Sequence, residues 1–117
     1  MQEASGWIEL GAPEKAIPII ERELPRMPPL DRLDASVFQS RLARAYAEAG
    51  YPDRASAAGI AACASTRATA SARALVELSR VRQILIKDGS ETEAPGDFTA
   101  EFDSLAEDMR AATGGTR

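Results

Sequence analysis

The chain has 117 residues, of which 44% are hydrophobic and 27% charged, as is typical of one folded domain that buries a core without disulfides or metal. A formal net charge of -4 and an aromatic content of 5% argue against a surface that binds nucleic acid. Because there is no basic leader before an apolar run and no long apolar segment, we expect one cytoplasmic domain over residues 1–117, without direct contact with nucleic acid or membrane.

Periodicity predicts helices from the first residues onward. Alternation of polar and apolar residues, the pattern of strands, is nearly absent, whereas apolar residues recur at intervals of three and four. A short opening helix should end at Gly11, and Pro13 should begin a second helix that runs to Leu24. The prolines that follow cannot continue a helix and predict an extended connection. These prolines are Pro25, Pro28 and Pro29.

A second helix pair is predicted after this connection. Its first helix covers about Arg32 to Ala49, and Asp31 or Asp34 can cap its start. Gly50 ends the helix in the left-handed conformation that glycine adopts easily. Pro52 begins the partner helix, because the missing N–H of a proline is harmless in a first turn. The inward face of the partner helix is small, which predicts close approach within the pair. Its residues are Ala55, Gly59, Ala62 and Cys63.

The same sequence pattern occurs at both turns. Gly11 begins the sequence GAPEKA, and Gly50 begins GYPDRA 39 residues later. The aromatic residues Trp7 and Tyr46 keep the same offset. A fixed period of helix pairs predicts an α-solenoid, in which each pair buries its apolar face against its neighbours.

The third unit is predicted to be incomplete. Its first helix covers about Ala70 to Lys87 and would end at Gly89. The repeat pattern is then interrupted from Ser90 to Gly96. A last helix over about Phe98 to Ala112 carries an apolar stripe and ends before Gly114. We expect this helix to cap the solenoid.

The order of small, aromatic and glycine residues in each unit resembles tetratricopeptide repeats. The first unit supplies Ala4, Trp7, Gly11, Ala16, Ile20, Leu24 and Pro28, and the second supplies Ala43, Tyr46, Gly50, Ala55, Gly59 and Ala62. The spacing of 39 residues exceeds the family's usual repeat of about 34, and the proline-rich connection explains the difference. The resemblance implies an all-α, right-handed solenoid of about six helices, with about two and a half repeats and a C-terminal capping helix.

A narrower resemblance concerns the C-terminal part of the chain. The run containing SARALVELSRVRQILI and FTAEFDSLAEDM is similar to the tetratricopeptide-like C-terminal half of actinobacterial helix-turn-helix regulators of the xenobiotic-response-element type. This similarity implies a non-enzymatic protein-interaction or signal-sensing module, part of or derived from a bacterial transcriptional regulator. Its partners would be a protein or peptide, a second copy, or an upstream DNA-binding domain. The alternative is a stand-alone adaptor or dimerisation domain unrelated to transcription.

Candidates for catalysis are scarce. The chain has no histidine, the commonest general base and zinc ligand, and its single cysteine excludes thiolate metal clusters. Cys63 falls on the small apolar face of its helix, so we expect a buried structural thiol. The carboxylate pairs Asp97 with Glu101 and Asp103 with Glu107 lack a partner base, and we expect them to be solvated surface. We therefore expect no enzymatic activity, no metal and no cofactor.

The resemblance also implies a binding groove, which in tetratricopeptide repeats is lined by the first helix of each unit. The corresponding positions here are Ser40, Arg41, Arg44, Glu48, Ser79, Arg80, Gln83 and Lys87. The basic residues among them would form a stripe suited to an acidic peptide or a carboxylate. The basic stripe consists of Arg41, Arg44, Arg80 and Lys87. The alternative is a solvated helix face without a ligand.

A second candidate surface lies at the start of the chain. The short first helix would leave Trp7, Ile8 and Leu10 partly uncovered, as a patch that contacts an upstream domain or a second copy. The alternative is that Trp7 is a core aromatic at the usual aromatic position of the repeat. We favour this alternative.

The charge distribution generates a prediction about the end of the chain. Residues 26–87 hold ten basic and five acidic residues, whereas residues 88–108 hold eight acidic and no basic residues. We hypothesise that the segment from Ser90 to Asp108 packs near the basic stripe and competes with an external acidic partner. Deletion of the residues after Gly89 should then expose apolar surface and raise the affinity for acidic peptides in a binding titration. Unchanged affinity and unchanged stability would contradict this hypothesis.

Overall fold

A computed structural model describes residues 2–28, 31–88 and 93–114 of the chain. Within these ranges the protein has six α-helices, a short 3₁₀ turn at Leu24–Arg26 and no strand. The helices are α1 (Gln2–Glu9), α2 (Pro13–Glu23), α3 (Arg32–Glu48), α4 (Pro52–Thr69), α5 (Ala72–Asp88) and α6 (Glu93–Gly114). The predicted all-α class and the count of about six helices are confirmed. None of the helices in the described ranges has the length and apolarity that a membrane span needs.

The turn between α1 and α2 is a Schellman turn. Gly11 has a φ of 76°, in the left-handed region that glycine enters without strain. Its N–H donates to the carbonyl oxygen of Ile8 at 3.1 Å, and the N–H of Ala12 donates to that of Trp7 at 2.9 Å. These bonds satisfy two carbonyls that the end of a helix leaves unpaired. Pro13 then occupies the first position of α2, as predicted.

The turn between α3 and α4 repeats this geometry. Gly50 has a φ of 89°, and its N–H donates to the carbonyl oxygen of Ala47 at 3.2 Å. The N–H of Tyr51 donates to the carbonyl oxygen of Tyr46 at 2.9 Å. Pro52 is the first residue of α4. Each of these atoms lies 39 residues after its counterpart in the first turn, so the sequence repeat corresponds to a repeated turn.

The turn between α4 and α5 has no glycine. Ala70 ends α4 with a φ of 53°, a left-handed conformation that costs an L-residue about 1–2 kcal/mol. Ser71 then caps α5, because its Oγ accepts a hydrogen bond of 3.1 Å from the N–H of Ala74. Asp31 stands at the N-cap position of α3, but its side chain makes no capping hydrogen bond.

The last helix is longer than its apolar stripe predicts. Helix α6 begins at Glu93 rather than near Phe98, and it includes Gly114. Pro95 is compatible with this start, because an N–H in the first turn of a helix would have no partner. The predicted end of α5 at Gly89 lies outside the described residues, as does Ser90.

The core consists of two packed clusters. Helix α3 contacts α2, α4 and α5, while α6 packs mainly on α4 and also contacts α5. A large cluster fills the space between α3, α4, α5 and α6 and includes Ile17 of α2, and a small one lies between α1 and α2. Leu42 of α3 packs against both. Among the buried members of the small cluster are Ala4, Ile8, Ala16 and Ile20, and among those of the large cluster are Tyr46, Ala55, Leu78, Val81, Phe98 and Leu105.

Gly59 allows α6 to approach the backbone of α4. A Cβ atom at this position would lie 2.5 Å from both Cδ1 and Cε1 of Phe98. The sequence analysis assigned the small residue at this site to the contact between α3 and α4. Its close neighbour is instead the fully buried Phe98 ring of α6.

We predict that Gly59→Ala destabilises the protein by about 1–3 kcal/mol, because the Phe98 ring must move to make room for the methyl group. Gly6→Ala in α1 is the matched control, since no heavy atom lies within 4 Å of its added Cβ. The control should gain up to about 1 kcal/mol from its better helix propensity. Urea denaturation measures both changes. A stabilised Gly59→Ala variant would contradict this packing.

Candidate partner-binding face

A network of charged side chains joins α3 to α5 at Glu77. Glu77 is only 9% exposed. Arg41 donates through Nε to its Oε2 at 3.1 Å, and Arg44 donates through Nη1 to its Oε1 at 2.7 Å. Each oxygen of one carboxylate therefore holds one arginine of α3. Hydrogen bonds between ionised groups are stronger than neutral ones, so this network holds α3 and α5 in register.

Further contacts fix the two arginines of α3. Arg41 also donates through Nη1 to Ser5 Oγ of α1 at 2.7 Å, and Arg44 donates through Nε to Glu48 Oε1 at 2.9 Å. Both arginine side chains are 19% exposed. Burial lowers the pKa of Arg44, but its hydrogen bond to Glu77 and the charges of Glu48 and Glu77 outweigh burial, so that the pKa lies above its ordinary value.

Four arginines surround Glu77 in one surface depression of about 210 Å³. Two of them, Arg73 and Arg80, lie on α5 one turn before and one turn after Glu77, and both are exposed. Neither has a hydrogen-bond or ion-pair partner among the residues that the structure describes. We call this surface the arginine depression. It is lined by Arg41, Arg44, Arg73, Val76, Glu77 and Arg80.

A larger groove of about 920 Å³ adjoins the arginine depression and shares Arg41 and Arg73 with it. It runs between α1, the connection after α2, and the first half of α3. Phe38 and Met27 contribute apolar surface to its wall. Its acidic and basic side chains are equal in number, so of these two surfaces only the arginine depression has an excess of positive charge.

The structure brings only some of the predicted groove residues together. Arg41, Arg44 and Arg80 line the arginine depression, and Glu48 touches it through Arg44. Ser40 does not line a groove, because it is fully buried and its Oγ donates to the carbonyl oxygen of Ser36 at 2.9 Å.

The remaining predicted positions on α5 face elsewhere. Ser79 and Gln83 line a separate depression against α6, since they lie on a face of α5 rotated away from Glu77. Lys87 is exposed in the last turn of α5. The sequence analysis missed Arg73 and Glu77, which precede Arg80 by seven and three residues. That helical spacing is the signal that could have found them.

The structure separates the three residues of the second candidate patch. Ile8 is buried in the small cluster, and Trp7 packs against that cluster with Lys15 Nζ 4.4 Å from its ring centre. Leu10 is 78% exposed. A continuous patch of all three residues is therefore not present, because α2 covers Ile8.

The acidic segment near the end of the chain has partners other than the basic stripe. Arg82 Nε of α5 donates to Asp103 Oδ1 of α6 at 2.8 Å, and Arg67 of α4 pairs with Asp108. Burial of Phe98 against α4 places the acidic face of α6 beside these two arginines. The part of this segment before Glu93 includes residues that lie outside the described ranges.

Cys63 is a buried thiol, as predicted. Burial and, to a smaller extent, the charge of Glu101 raise the pKa of Cys63 to about 11, so that the thiol is protonated at neutral pH. Within residues 2–28, 31–88 and 93–114, no group of three or more cysteine, aspartate or glutamate side chains could hold a metal ion.

Comparison with protein-family models, curated proteins and solved structures found no significant match to this chain. The resemblance to tetratricopeptide repeats therefore depends on the pattern of residues alone.

Tyr46 provides a polar contact between the first two helix pairs, in addition to that of Arg41 with Ser5. Its hydroxyl donates to Glu21 Oε2 of α2 at 2.7 Å. Burial, the hydrogen bond to Glu21 and the negative charge of Glu21 together raise the pKa of Tyr46 to about 12. The folded state therefore favours the neutral phenol.

We predict that strong alkali weakens this contact. Because the pKa of Tyr46 is higher in the folded state than the unfolded value of about 10, its contribution to stability is complete below pH 10 and is lost as the pH rises through about 12. In a Tyr51→Phe background, Tyr46 is the remaining tyrosine, and ultraviolet titration should give a pKa near 12. The same variant in urea, the control, should titrate near 10. Equal values in both states would contradict the prediction.

Proposed function

We propose that this chain is a non-enzymatic protein-interaction or signal-sensing module. In this proposal an acidic peptide segment binds to α3 and α5, the first helices of the second and third units. The observation that carries the proposal is the arginine depression, in which four arginines surround a single glutamate. The guanidinium group presents several N–H donors in a plane that matches a carboxylate. Arg73 and Arg80 are exposed and have no partner among the described residues, so their donors are available to a ligand.

We propose a tetratricopeptide-like, right-handed solenoid as the architecture of this module. The two Schellman turns at an offset of 39 residues support it. The pattern of contacts between helices also supports it. Helix α3 contacts α4 within its own helix pair and α5 in the next one, and α4 contacts α6. In this arrangement α6 takes the position of the second helix of a third unit and also caps the stack.

The proposed setting is a cytoplasmic bacterial transcriptional regulator. Its support is the similarity of the C-terminal run to regulators of the xenobiotic-response-element type. In this setting the arginine depression would bind an acidic segment of a protein partner, and a separate domain would read DNA. An in-frame helix-turn-helix segment upstream in the gene would support the setting.

Binding of a short fluorescein-labelled peptide of alternating glutamate and leucine tests the proposed function. Fluorescence anisotropy should show that this peptide binds more tightly than one with lysine in place of glutamate. The double variant Arg73→Gln/Arg80→Gln should lose at least about tenfold in affinity, since a hydrogen bond between charged groups contributes about 1.5–3 kcal/mol. Added salt should weaken the interaction.

The matched control is Lys15→Gln/Arg22→Gln, which removes the same charge from exposed positions on α2. It should leave the peptide affinity within about twofold of the wild-type value if binding is local to the depression. Equal losses in the two double variants, or equal affinity for the acidic and basic peptides, would contradict the proposal.

A further inference from the structure

Glu77 is a carboxylate already placed inside the arginine depression. Its two carboxylate oxygens accept one hydrogen bond each, from Arg41 at 3.1 Å and from Arg44 at 2.7 Å. A carboxylate of a bound peptide would present the same chemical group to the same arginines. Glu77 therefore occupies part of the surface that would otherwise bind a partner.

The four arginines fall into two classes. Arg41 and Arg44 are mostly buried and are held by acceptors on three helices, including Ser5 and Glu48. Arg73 and Arg80 are exposed and have no hydrogen-bonding or ion-pair partner within the described ranges. Both classes line one depression, and they differ both in burial and in pairing with Glu77.

We infer that Glu77 is an internal competitor that sets the affinity of the arginine depression. It keeps Arg41 and Arg44 in internal ion pairs, so that an incoming peptide carboxylate is received by Arg73 and Arg80. Its negative charge also repels that carboxylate, because both lie in the same depression. The inference deepens the proposed function and rests on it.

The same depression indicates the chemistry of the partner segment. Val76 lies between Arg73 and Glu77 on α5, lines the depression and is exposed. An aliphatic side chain next to the incoming carboxylate can cover it and exclude water from the ion pairs. The partner that fits is a peptide segment in which acidic and aliphatic residues are adjacent.

Glu77→Gln tests this inference, because glutamine has nearly the same shape and lacks the charge. The formal charge of the lining residues rises from +3 to +4, and the two arginines of α3 become available. Affinity for the labelled glutamate–leucine peptide should rise by about tenfold, which corresponds to about 1.4 kcal/mol. Glu48→Gln is the matched control: it removes a carboxylate from Arg44 that does not line the depression, and it should change the affinity less.

A combination of variants gives a sharper result. In the wild-type background, Arg73→Gln/Arg80→Gln should remove most of the binding. In the Glu77→Gln background the same double change should leave measurable binding, because Arg41 and Arg44 then accept the peptide. The expected effects are therefore non-additive, as in a double-mutant cycle between coupled sites. Additive effects would overturn the inference.

A measurement on the wild-type protein keeps the inference testable if Glu77→Gln does not fold. Nuclear magnetic resonance of arginine Nε–Hε groups should show that the glutamate–leucine peptide shifts the signals of Arg73 and Arg80 and leaves those of Arg41 and Arg44 in place. Movement of the Arg41 signal, whose Nε–Hε group donates to Glu77, would mean that the peptide displaces Glu77 from its internal ion pairs, and this would overturn the inference.

The outcomes also separate the inference from the proposed function. If the wild-type protein binds the peptide through Arg73 and Arg80 but Glu77→Gln does not tighten binding, the inference fails and the proposed function stands. If neither wild type nor folded Glu77→Gln binds, both fail. If only Glu77→Gln binds, Glu77 is an effective competitor and the wild-type protein does not carry the proposed function by itself.

Discussion

The left-handed glycine that ends one helix, followed by the proline that begins the next, is the constraint on which this architecture depends. At Gly11 and Gly50 the chain reverses through the same pair of backbone hydrogen bonds. Residues with a Cβ are strained in this conformation, and the proline at the next helix start needs no N–H partner. Each turn therefore brings two helices side by side, so that their apolar faces pack together.

Contacts between helix pairs bury apolar surface that the turns alone leave uncovered. The small cluster of α1 and α2 is too limited to form a separate core, and Leu42 joins it to the larger one. The hydroxyl of Tyr46 adds a polar contact to Glu21 across the same boundary. At the other end, the ring of Phe98 rests on Gly59 and closes the large cluster. The helix pairs and α6 thus depend on one another to bury their apolar faces.

The arginines of α3 and those of α5 differ in burial and in pairing. The mostly buried Arg41 and Arg44 are both paired with Glu77, and Arg44 is also paired with Glu48, whereas the exposed arginines beside them have no such partner among the described residues. Pairing buried arginines avoids the cost of an uncompensated charge in a poorly solvated site. The consequence is a surface whose free positive charge is concentrated on α5. This concentration makes the arginine depression a candidate for binding acidic segments, and in our proposal Glu77 links the α3–α5 contact to the affinity for such a segment.

The sequence by itself determined the features that depend on neighbours along the chain. Helix limits near Gly11, Gly50 and Pro52 follow from local hydrogen bonds and dihedral angles, and the burial of Cys63 follows from helical periodicity. Only the tertiary structure decided that Ser40 is buried, that Gly59 faces Phe98, and that Arg73 and Glu77 join Arg41. The reason is that these contacts depend on the rotation and offset of one helix against another. Periodicity within a single helix defines an apolar face, but it does not specify which helix will cover that face.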